Sequence, residues 1–571
     1  MPSALAPATS SAVRTLVFVA PWECSEAVAR VPAAPSPRVV LCFVESLAMG
    51  ARLPWHRQKL VLVLSAMRHF AERLRDAGHV VDYRRAADWA TGVAEAACAH
   101  GVRRVVATRA RDRFVGAEWT RLRDALDVSG IALELREDRG FLDTPERFAD
   151  WARGRRELRL EWFYRDMRRR HGVLLDEAGA PAGGAWNFDA ENRKPWPKGR
   201  ALPPVWREEP DDVTRRTMAR VARWDWCWGD VDGFALPVTR DAALAWLERF
   251  AVERLPEFGP YEDAMQTGAP DLLHSTLAPL LNVGLLHPLE VVRRAERAWR
   301  EGAAPLPSVE GFVRQVVGWR EYVRGMYWWL GPDYEDSNAL GAERALPRAF
   351  WGWAPAGDPL ARMACLTDSV RLVHDHGRVH HIPRLMVQAN LATLLGVRPR
   401  DLNRWFWAAF VDGAHWVTTP NVVGMATWGD GGKLASKPYV ATGAYVQRMS
   451  DHCRGCAYDP ARRHGEGACP MTVLYWDFLA RHRERFAAHP RMGMMVRNLD
   501  RLSEEEVAAI RADAAALRDA VAWEAPAEPM PVAADALVTT WNVPARGPED
   551  AAGGEAATTA TRRTRARRAA P

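Results

Sequence analysis

The order of apolar and polar positions divides the chain into two unlike parts. Near the start, short apolar runs alternate with helical patterns. Arg14 to Ala20 (RTLVFVA) and Arg38 to Glu45 (RVVLCFVE) read as strands. Lys59 to Ala77 reads as a helix, because Leu60, Leu64, Met67, Phe70 and Leu74 recur at intervals of three and four. The same alternation gives strands at His79–Arg84, Arg103–Thr108 and Ile131–Leu135, with helices at Ala94–His100 and Trp119–Leu126. Such alternation demands right-handed crossovers and a parallel sheet, so residues 14–144 are expected to form a doubly wound α/β domain with ligands beyond the strand C-termini. Residues 145–212 read as a connector: a polar helical stretch to His171, then the Gly/Pro-rich segment Gly179–Pro204. From 213 to 523 the helical spacing dominates, as in Ala242–Arg254, Leu289–Ala298 and Pro307–Trp328, and predicts an all-α domain. Residues 1–13 and 524–571 carry no such pattern and are expected to be disordered.

Composition narrows this picture. A chain of 571 residues exceeds what one core supports, in keeping with two main domains. The net charge of +6 is mild, and part of it lies in the tail at Arg562, Arg563, Arg565, Arg567 and Arg568, so a nucleic-acid face has to be a local patch. The 26 tryptophans suit a redox or base-stacking protein, and equally a large helical core. No apolar run is long enough to cross a membrane, and residues 1–13 have no basic side chain, so neither a span nor a signal peptide is expected. Eight unevenly placed cysteines do not make a secreted disulfide framework; they read as a reducing cytoplasm and one metal or cluster site.

That site is centred on Cys453 and Cys456, a CxxC, followed twelve residues later by Cys469 and Pro470. A CxxC turn directs two thiolates at one ion or cluster, and Cys-Pro recurs at the end of cluster motifs. Cys365 lies far upstream, where another helix could supply a fourth ligand. Spacing does not choose between structural zinc and an iron–sulfur cluster. Cys24, Cys42, Cys98 and Cys227 are isolated and read as core thiols.

Seven segments carry a resemblance. They are Gly183–Arg193 (GGAWNFDAENR), Ser275–Leu286 (STLAPLLNVGLL), Arg314–Trp328 (RQVVGWREYVRGMYW), His380–Asn390 (HHIPRLMVQAN), Asp412–Met425 (DGAHWVTTPNVVGM), Asp430–Tyr439 (DGGKLASKPY), and Tyr445–Trp476 with the cysteines. Together they resemble the iron–sulfur bacterial cryptochromes and photolyases, a branch of the photolyase superfamily. The resemblance implies an α/β antenna domain, a long connector, and a helical domain holding FAD and a [4Fe–4S] cluster on Cys365, Cys453, Cys456 and Cys469. It places Ser275, Thr276 and the backbone near Leu277 at the FAD pyrophosphate, where donors at a helix start suit an anion; Ala278 stands where the family often has serine. Tyr261, Gln315, Arg384, Asp412 and Asn421 are implied at the flavin, with Trp405 as the proximal electron-transfer tryptophan.

His381 matches the residue that donates a proton to the (6-4) lesion, with His380 beside it, and imidazole chemistry suits that role. The implied activity is light-driven repair of (6-4) photoproducts in UV-damaged DNA by a monomer. The alternative is a blue-light photoreceptor with the same cofactors and no repair; a DNA-binding cluster protein without photochemistry is disfavoured by the flavin motifs. Repair requires a flipped lesion, with Arg193, Lys194, Lys198, Lys433 and Lys437 as candidate phosphate contacts. Three positions depart from the family pattern: Phe406 and Ala414 replace tyrosines, and Thr418 replaces an acid. Trp407 or Trp353 is then expected to continue the electron route. The implied antenna chromophore is 6,7-dimethyl-8-ribityllumazine, with Glu45, Ser46 and His56 fitting the family. The run Ala20-Pro21-Trp22-Glu23 does not, and Trp22 is expected to alter or fill that pocket.

Overall fold

Five strands pair in the order β3-β2-β1-β4-β5, all parallel, in a computed structural model that describes residues 14–524. They are β1 (Thr15–Phe18), β2 (Val39–Ser46), β3 (Val80–Ala86), β4 (Arg104–Thr108) and β5 (Ala132–Arg136). The expected disorder of residues 1–13 and of the tail beyond Glu524 concerns positions outside the described residues. Leu41 to Val44 on β2 are wholly buried, as a strand covered on both faces should be. Between the strands run α1 (Arg57–Asp76), α2 (Trp89–Ala99) and α3 (Arg113–Val128). α2 and α3 begin five or six residues before the periodicity suggests, because Asp88 and Asp112 cap them, accepting from the Thr91 and Val115 N–H groups.

The strand order reverses between β1 and β4, and a doubly wound sheet offers its crevice there. The chain's own side chains occupy it. Glu23, 2% exposed, accepts from Thr108 Oγ1 at 2.5 Å and from the Ala20 N–H at 3.0 Å. Burial pushes its carboxyl up to about 7, against those hydrogen bonds. Trp22 packs edge-on to Trp89 at 5.7 Å within the sheet core.

The polar stretch after β5 forms two helices, α4 (Pro145–Ala152) and α5 (Leu160–His171), with Gly154 at φ 76° between them. The rest is helical. Its main helices are α6 (Arg240–Glu253), α7 (Pro288–Arg300), α8 (Leu306–Val313), α9 (Glu321–Trp329), α10 (Ala364–His376), α11 (Pro399–Ala409) and α12 (Pro470–Arg481). Among the described residues no strand follows β5, and no helix is long and apolar enough to cross a membrane.

The sheet layer and the helices belong to one compact unit, sewn together at the start of α1. His56, wholly buried, lies with Nε2 3.0 Å from the His374 carbonyl, while Nδ1 accepts from the Gln58 N–H. A carbonyl only accepts, so the ring is neutral with its proton on Nε2. Gln58 Nε2 donates to Asp375 O, and Lys59 Nζ lies 2.6 Å from the carbonyls of both Trp407 and Gly413. Burial pulls Lys59 down to about 7, opposed by the Asp412 charge. These contacts make His56 a seam residue between the sheet layer and the helices.

Burial also pulls His56 down to about 3 from an unfolded value of 6.5. Between those values the unfolded chain holds one proton more than the folded one, so stability is retained above pH 6.5 and falls as the pH drops, by about 1.4 kcal/mol per pH unit from this residue. In His56→Asn, chemical unfolding measured from pH 7 to pH 5 should show a shallower acid decline than the parent. Parallel curves would contradict this account.

Candidate active site and cysteine centre

A cavity of about 2400 Å³ opens between the helices. Three π-helical turns border it: Arg314–Arg320 between α8 and α9, Pro383–Ala389 and Pro420–Ala426. Such turns make up well under about 1% of residues and gather at functional sites. Each presents an expected flavin residue to the cavity: Gln315, Arg384 and Asn421.

Arg384 Nη1 reaches both carboxylate oxygens of Asp412 at 2.9 and 3.1 Å, and its Nε donates to Val379 O. The guanidinium lies 4.3 Å from the centre of the Phe410 ring. Asn282 Nδ2 holds the Asp412 carbonyl at 2.8 Å, and Lys59 grips the next one. Asn421 donates to Val417 O and Gln315 to Glu262 Oε1.

Ser275, Thr276 and Leu277 line the cavity in a strained turn. Thr276 has φ 56°, a left-handed conformation that β-branched residues avoid. Its hydroxyl donates to Ser275 O and accepts from Trp246 Nε1 at 2.7 Å, which pins it. The following helix, Ala278–Asn282, has only five residues, so its dipole is small, and the Leu277 N–H donates to Ser275 Oγ at 3.3 Å.

The approach to this turn is held at several points. Thr267 donates to Asp451 from N and Oγ1, and Gly268 N to Asp368 Oδ2. Asp271 and Arg378 form a bidentate ion pair at 2.9 and 3.0 Å, both nearly inaccessible. Burial alone would raise the Asp271 carboxyl, but Arg378 outweighs it and holds the pKa below the usual range.

His380 donates its N–H to Pro270 O, and its ring stacks on His274 at 4.4 Å and 20°. His380 is 5% exposed, and neither ring nitrogen has a protein partner. His274 Nε2 lies 3.0 Å from Glu262 O. His381 also lines the cavity, exposed on that side while protein surrounds the rest of its ring. Desolvation, then the Arg384 charge, pulls it down to about 4, and contact with water in the open cavity weakens that depression. His380 is lowered further, by burial and then by His274, His381 and Arg384.

Several expected residues stand elsewhere. Tyr261 packs on Trp196 at 5.1 Å and near the Arg200 guanidinium; its neighbours Glu262 and Asp263 face the cavity instead. Trp405 lies one layer behind, 4.9 Å from Phe406, which lines the cavity. Behind Trp405 come Trp351 at 6.5 Å and Trp353, stacked on Trp351 at 5.6 Å and 52% exposed. Trp407 turns aside to Trp55, Phe114 and His415. Arg193, Lys433 and Lys437 border the cavity; Lys194 and Lys198 are exposed outside it.

In the sheet layer, Glu45 is 1% exposed and takes Arg68 Nε at 2.8 Å, Tyr83 Oη at 2.6 Å and Arg85 Nε at 3.2 Å. Burial raises its pKa, but these partners and Arg220 outweigh it. Ser46 caps the short helix after β2. Trp22 packs in the sheet core, and Glu45 has its ion pairs within the protein.

Cys365 on α10, Cys453 and Cys456 around the turn His452–Arg454, and Cys469 capping α12 all line one small cavity with His452, Tyr458 and Met471. Among the described residues, no three Cys, His, Asp or Glu side chains are grouped closely enough to hold a single metal ion. His452 Nε2 pairs with Asp368 Oδ2 at 3.0 Å, the carboxylate that also holds Gly268.

Glu262 and His274 escaped sequence reading. Each adjoins an expected residue, Tyr261 or Ser275, but neither shows a periodicity or motif of its own.

Comparison with known proteins identifies the family of a chain that joins a parallel α/β layer to a helical body with a deep cavity. A family model described as deoxyribodipyrimidine photo-lyase-related protein matches residues 24–236. A (6-4) photolyase of Agrobacterium fabrum (strain C58 / ATCC 33970) is 41% identical over 492 residues, 84% of this chain and 93% of that protein. The chain belongs to the photolyase family. Among solved structures, a bacterial class III photolyase from Agrobacterium tumefaciens aligns with TM-score 0.49 and 17% identity over 90% of this chain and 98% of that one. A cryptochrome of Synechocystis sp. PCC6803 aligns with TM-score 0.49 and 13% identity over 77% and 89%.

Trp246→Phe should remove the bond that pins Thr276, costing about 1 kcal/mol in denaturant unfolding and lowering the flavin retained through gel filtration. Full retention would show that the turn does not hold the cofactor.

Proposed function

We propose that this protein repairs (6-4) photoproducts in DNA using light and a bound FAD. The observation that carries the reading is the convergence of Ser275–Leu277, the Arg384–Asp412 pair and the His380–His381 pair on one cavity. Bound FAD supplies the light absorption and one-electron chemistry. The chain supplies the rest. The turn at Thr276 offers a pyrophosphate the Ser275 hydroxyl, which accepts from the Leu277 N–H and keeps its own proton to donate. Arg384 presents a fixed positive charge to the flavin side, which favours an anionic reduced ring. Arg193, Lys433 and Lys437 edge the opening where a flipped nucleotide and its phosphates enter. The similarity to the Agrobacterium (6-4) photolyase over most of both chains supports the lesion type.

His381, reaching the cavity, is the proton donor in this reading. In a dehydrated site its ring is neutral at pH 7, so it donates from a neutral N–H or after an incoming anion raises its affinity for a proton. His380 stays neutral against His274 and holds the wall. The rings Trp405, Trp351 and Trp353 form the path by which electrons from the surface reach the flavin.

The four cysteines hold a [4Fe–4S] cluster. Thiols that share a cavity yet are not grouped tightly enough for one ion suit a cluster, whose irons spread its ligands apart, more than tetrahedral zinc.

The protein, purified anaerobically and illuminated with an oligonucleotide bearing a (6-4) lesion, should restore the two pyrimidines. Photoreduction with the lesion intact would leave a photoreceptor. His381→Ala should abolish repair while flavin absorbance persists; repair at the parental rate would refute the role of His381. Iron and acid-labile sulfide should each approach four per chain for a [4Fe–4S] cluster, and Cys365→Ser should lose both along with thermal stability. Stoichiometric zinc without iron would replace the cluster with a structural site.

A further inference from the structure

A second chain of hydrogen-bonded groups runs from a buried phenol to the surface, and the repair reading gives it no task. Tyr327 on α9 is wholly buried. Its oxygen accepts the Arg113 N–H at 3.1 Å, so its own proton is directed to His415 Nδ1, 2.8 Å away. His415 is 3% exposed, and its Nε2 lies 2.7 Å from Glu335 Oε2. With Nδ1 accepting from the phenol, Nε2 carries the ring proton and Glu335 receives it. The Glu335 side chain is 20% exposed, and Arg400 lies beyond it at 3.8 Å. Two steps therefore connect a buried O–H to the solvent edge.

The ring of Tyr327 is placed as usefully as its hydroxyl. It packs in one cluster with Trp416, Phe141 and Val323, and Trp416 lines the cavity. Trp328 lies edge-on at 5.4 Å. The Arg113 guanidinium sits 4.2 Å from the ring centre. That cation opposes removal of an electron alone, because a positive ring would face a positive guanidinium. It does not oppose removal of an electron together with a proton, which leaves the ring neutral. A phenol bonded to a neutral imidazole meets this requirement. The other charged group packed near the phenol is Asp112, with Arg52 over the neighbouring Phe114 ring.

We propose that Tyr327 is a redox-active tyrosine that refills an electron vacancy on Trp416, while His415 and Glu335 carry its proton outward. The proposal rests on the flavin reading of the cavity. The electron first lost by Trp416 goes to the light-excited oxidised flavin. Tyr327 then gives one electron to the oxidised indole, which returns to its neutral form. The Tyr327 Oη–H bond breaks, the proton bonds to His415 Nδ1, and the Nε2 proton passes to the Glu335 carboxylate. The positive charge of the indole and the negative charge of Glu335 disappear together, leaving a neutral phenoxyl radical, indole, imidazole and carboxyl.

The test is electron paramagnetic resonance on the flavin-loaded full chain, illuminated anaerobically in its oxidised state and frozen. A tyrosyl signal is expected, with hyperfine splittings that collapse when the tyrosines are ring-deuterated. Tyr327→Phe should abolish it with the flavin spectrum unchanged. Glu335→Gln, which keeps the packing, should slow its formation about tenfold, the worth of one charge-assisted hydrogen bond, and deuterated water should slow the parent. No tyrosyl signal in the parent, or one that survives Tyr327→Phe, overturns the proposal. If Tyr327→Phe loses its flavin, the Glu335→Gln and deuterium rates decide, and unchanged rates overturn it. A parent that binds no flavin overturns the cavity reading and this proposal with it; a parent that photoreduces without a tyrosyl signal overturns this proposal alone.

Discussion

The buried ion pair of Asp271 and Arg378 is the interaction on which the site depends. Two charges removed from water gain little net stability together, but the loss of either strands the other, at about 3–5 kcal/mol. Here the pair fixes the segment that runs from Gly268 to Leu277. On one side that segment is hung from Asp368 and Asp451, which belong to the surroundings of the cysteine centre. On the other it supplies the carbonyl that anchors the His380 backbone, the His274 ring stacked on His380, and the strained Thr276 turn. The cysteine centre, the histidines and the Thr276 turn are therefore attached to one strap of backbone. This gives the cysteine centre a physical reason to matter for the cavity without any part in electron transfer.

The strap also explains how a strained turn persists. Thr276 at φ 56° costs free energy on the order of 1–3 kcal/mol. It survives because both flanks are held, by Trp246 on its hydroxyl and by Arg254 Nη1 on the His274 carbonyl. Strain held this way leaves the donors in place before a ligand arrives.

Apolar periodicity located all five strands to within a residue or two, because both faces of the central strands are covered and the apolar runs are continuous. Helix starts were less legible. The first turn of α2 carries Ala90, Thr91 and Gly92, which mark no face, and that of α3 ends on Gly116; the capping aspartates announce both. At the site, Gln315, Arg384 and Asn421 stand in long motifs, and the π-helical turns that carry them border the cavity. Tyr261 packs on Trp196 while Glu262 faces the cavity, and a one-residue choice on an irregular segment leaves no trace in periodicity. The partners of Glu45 were not legible either, since Arg68, Arg85 and Arg220 come from three separate elements.

The histidines show why burial, more than residue type, assigns roles. His56, His274, His380 and His381 are all shifted toward the neutral form, yet of these only His381 is exposed; His274 is half-buried and His380 buried in the cavity wall. His56 and His274 have backbone carbonyls at hydrogen-bonding distance, and those contacts settle their tautomers. His380 has neither ring nitrogen paired, and such a group, buried beside a cavity, requires a ligand atom, a water or a strong packing reason to remain there. Stacking on His274 supplies the packing reason, and the cavity supplies room for the rest. His381 differs in having solvent on one side, so its proton affinity changes with whatever enters. A residue whose charge state depends on ligand entry can hold its proton until the lesion is seated, and no other histidine lining this cavity has that exposure.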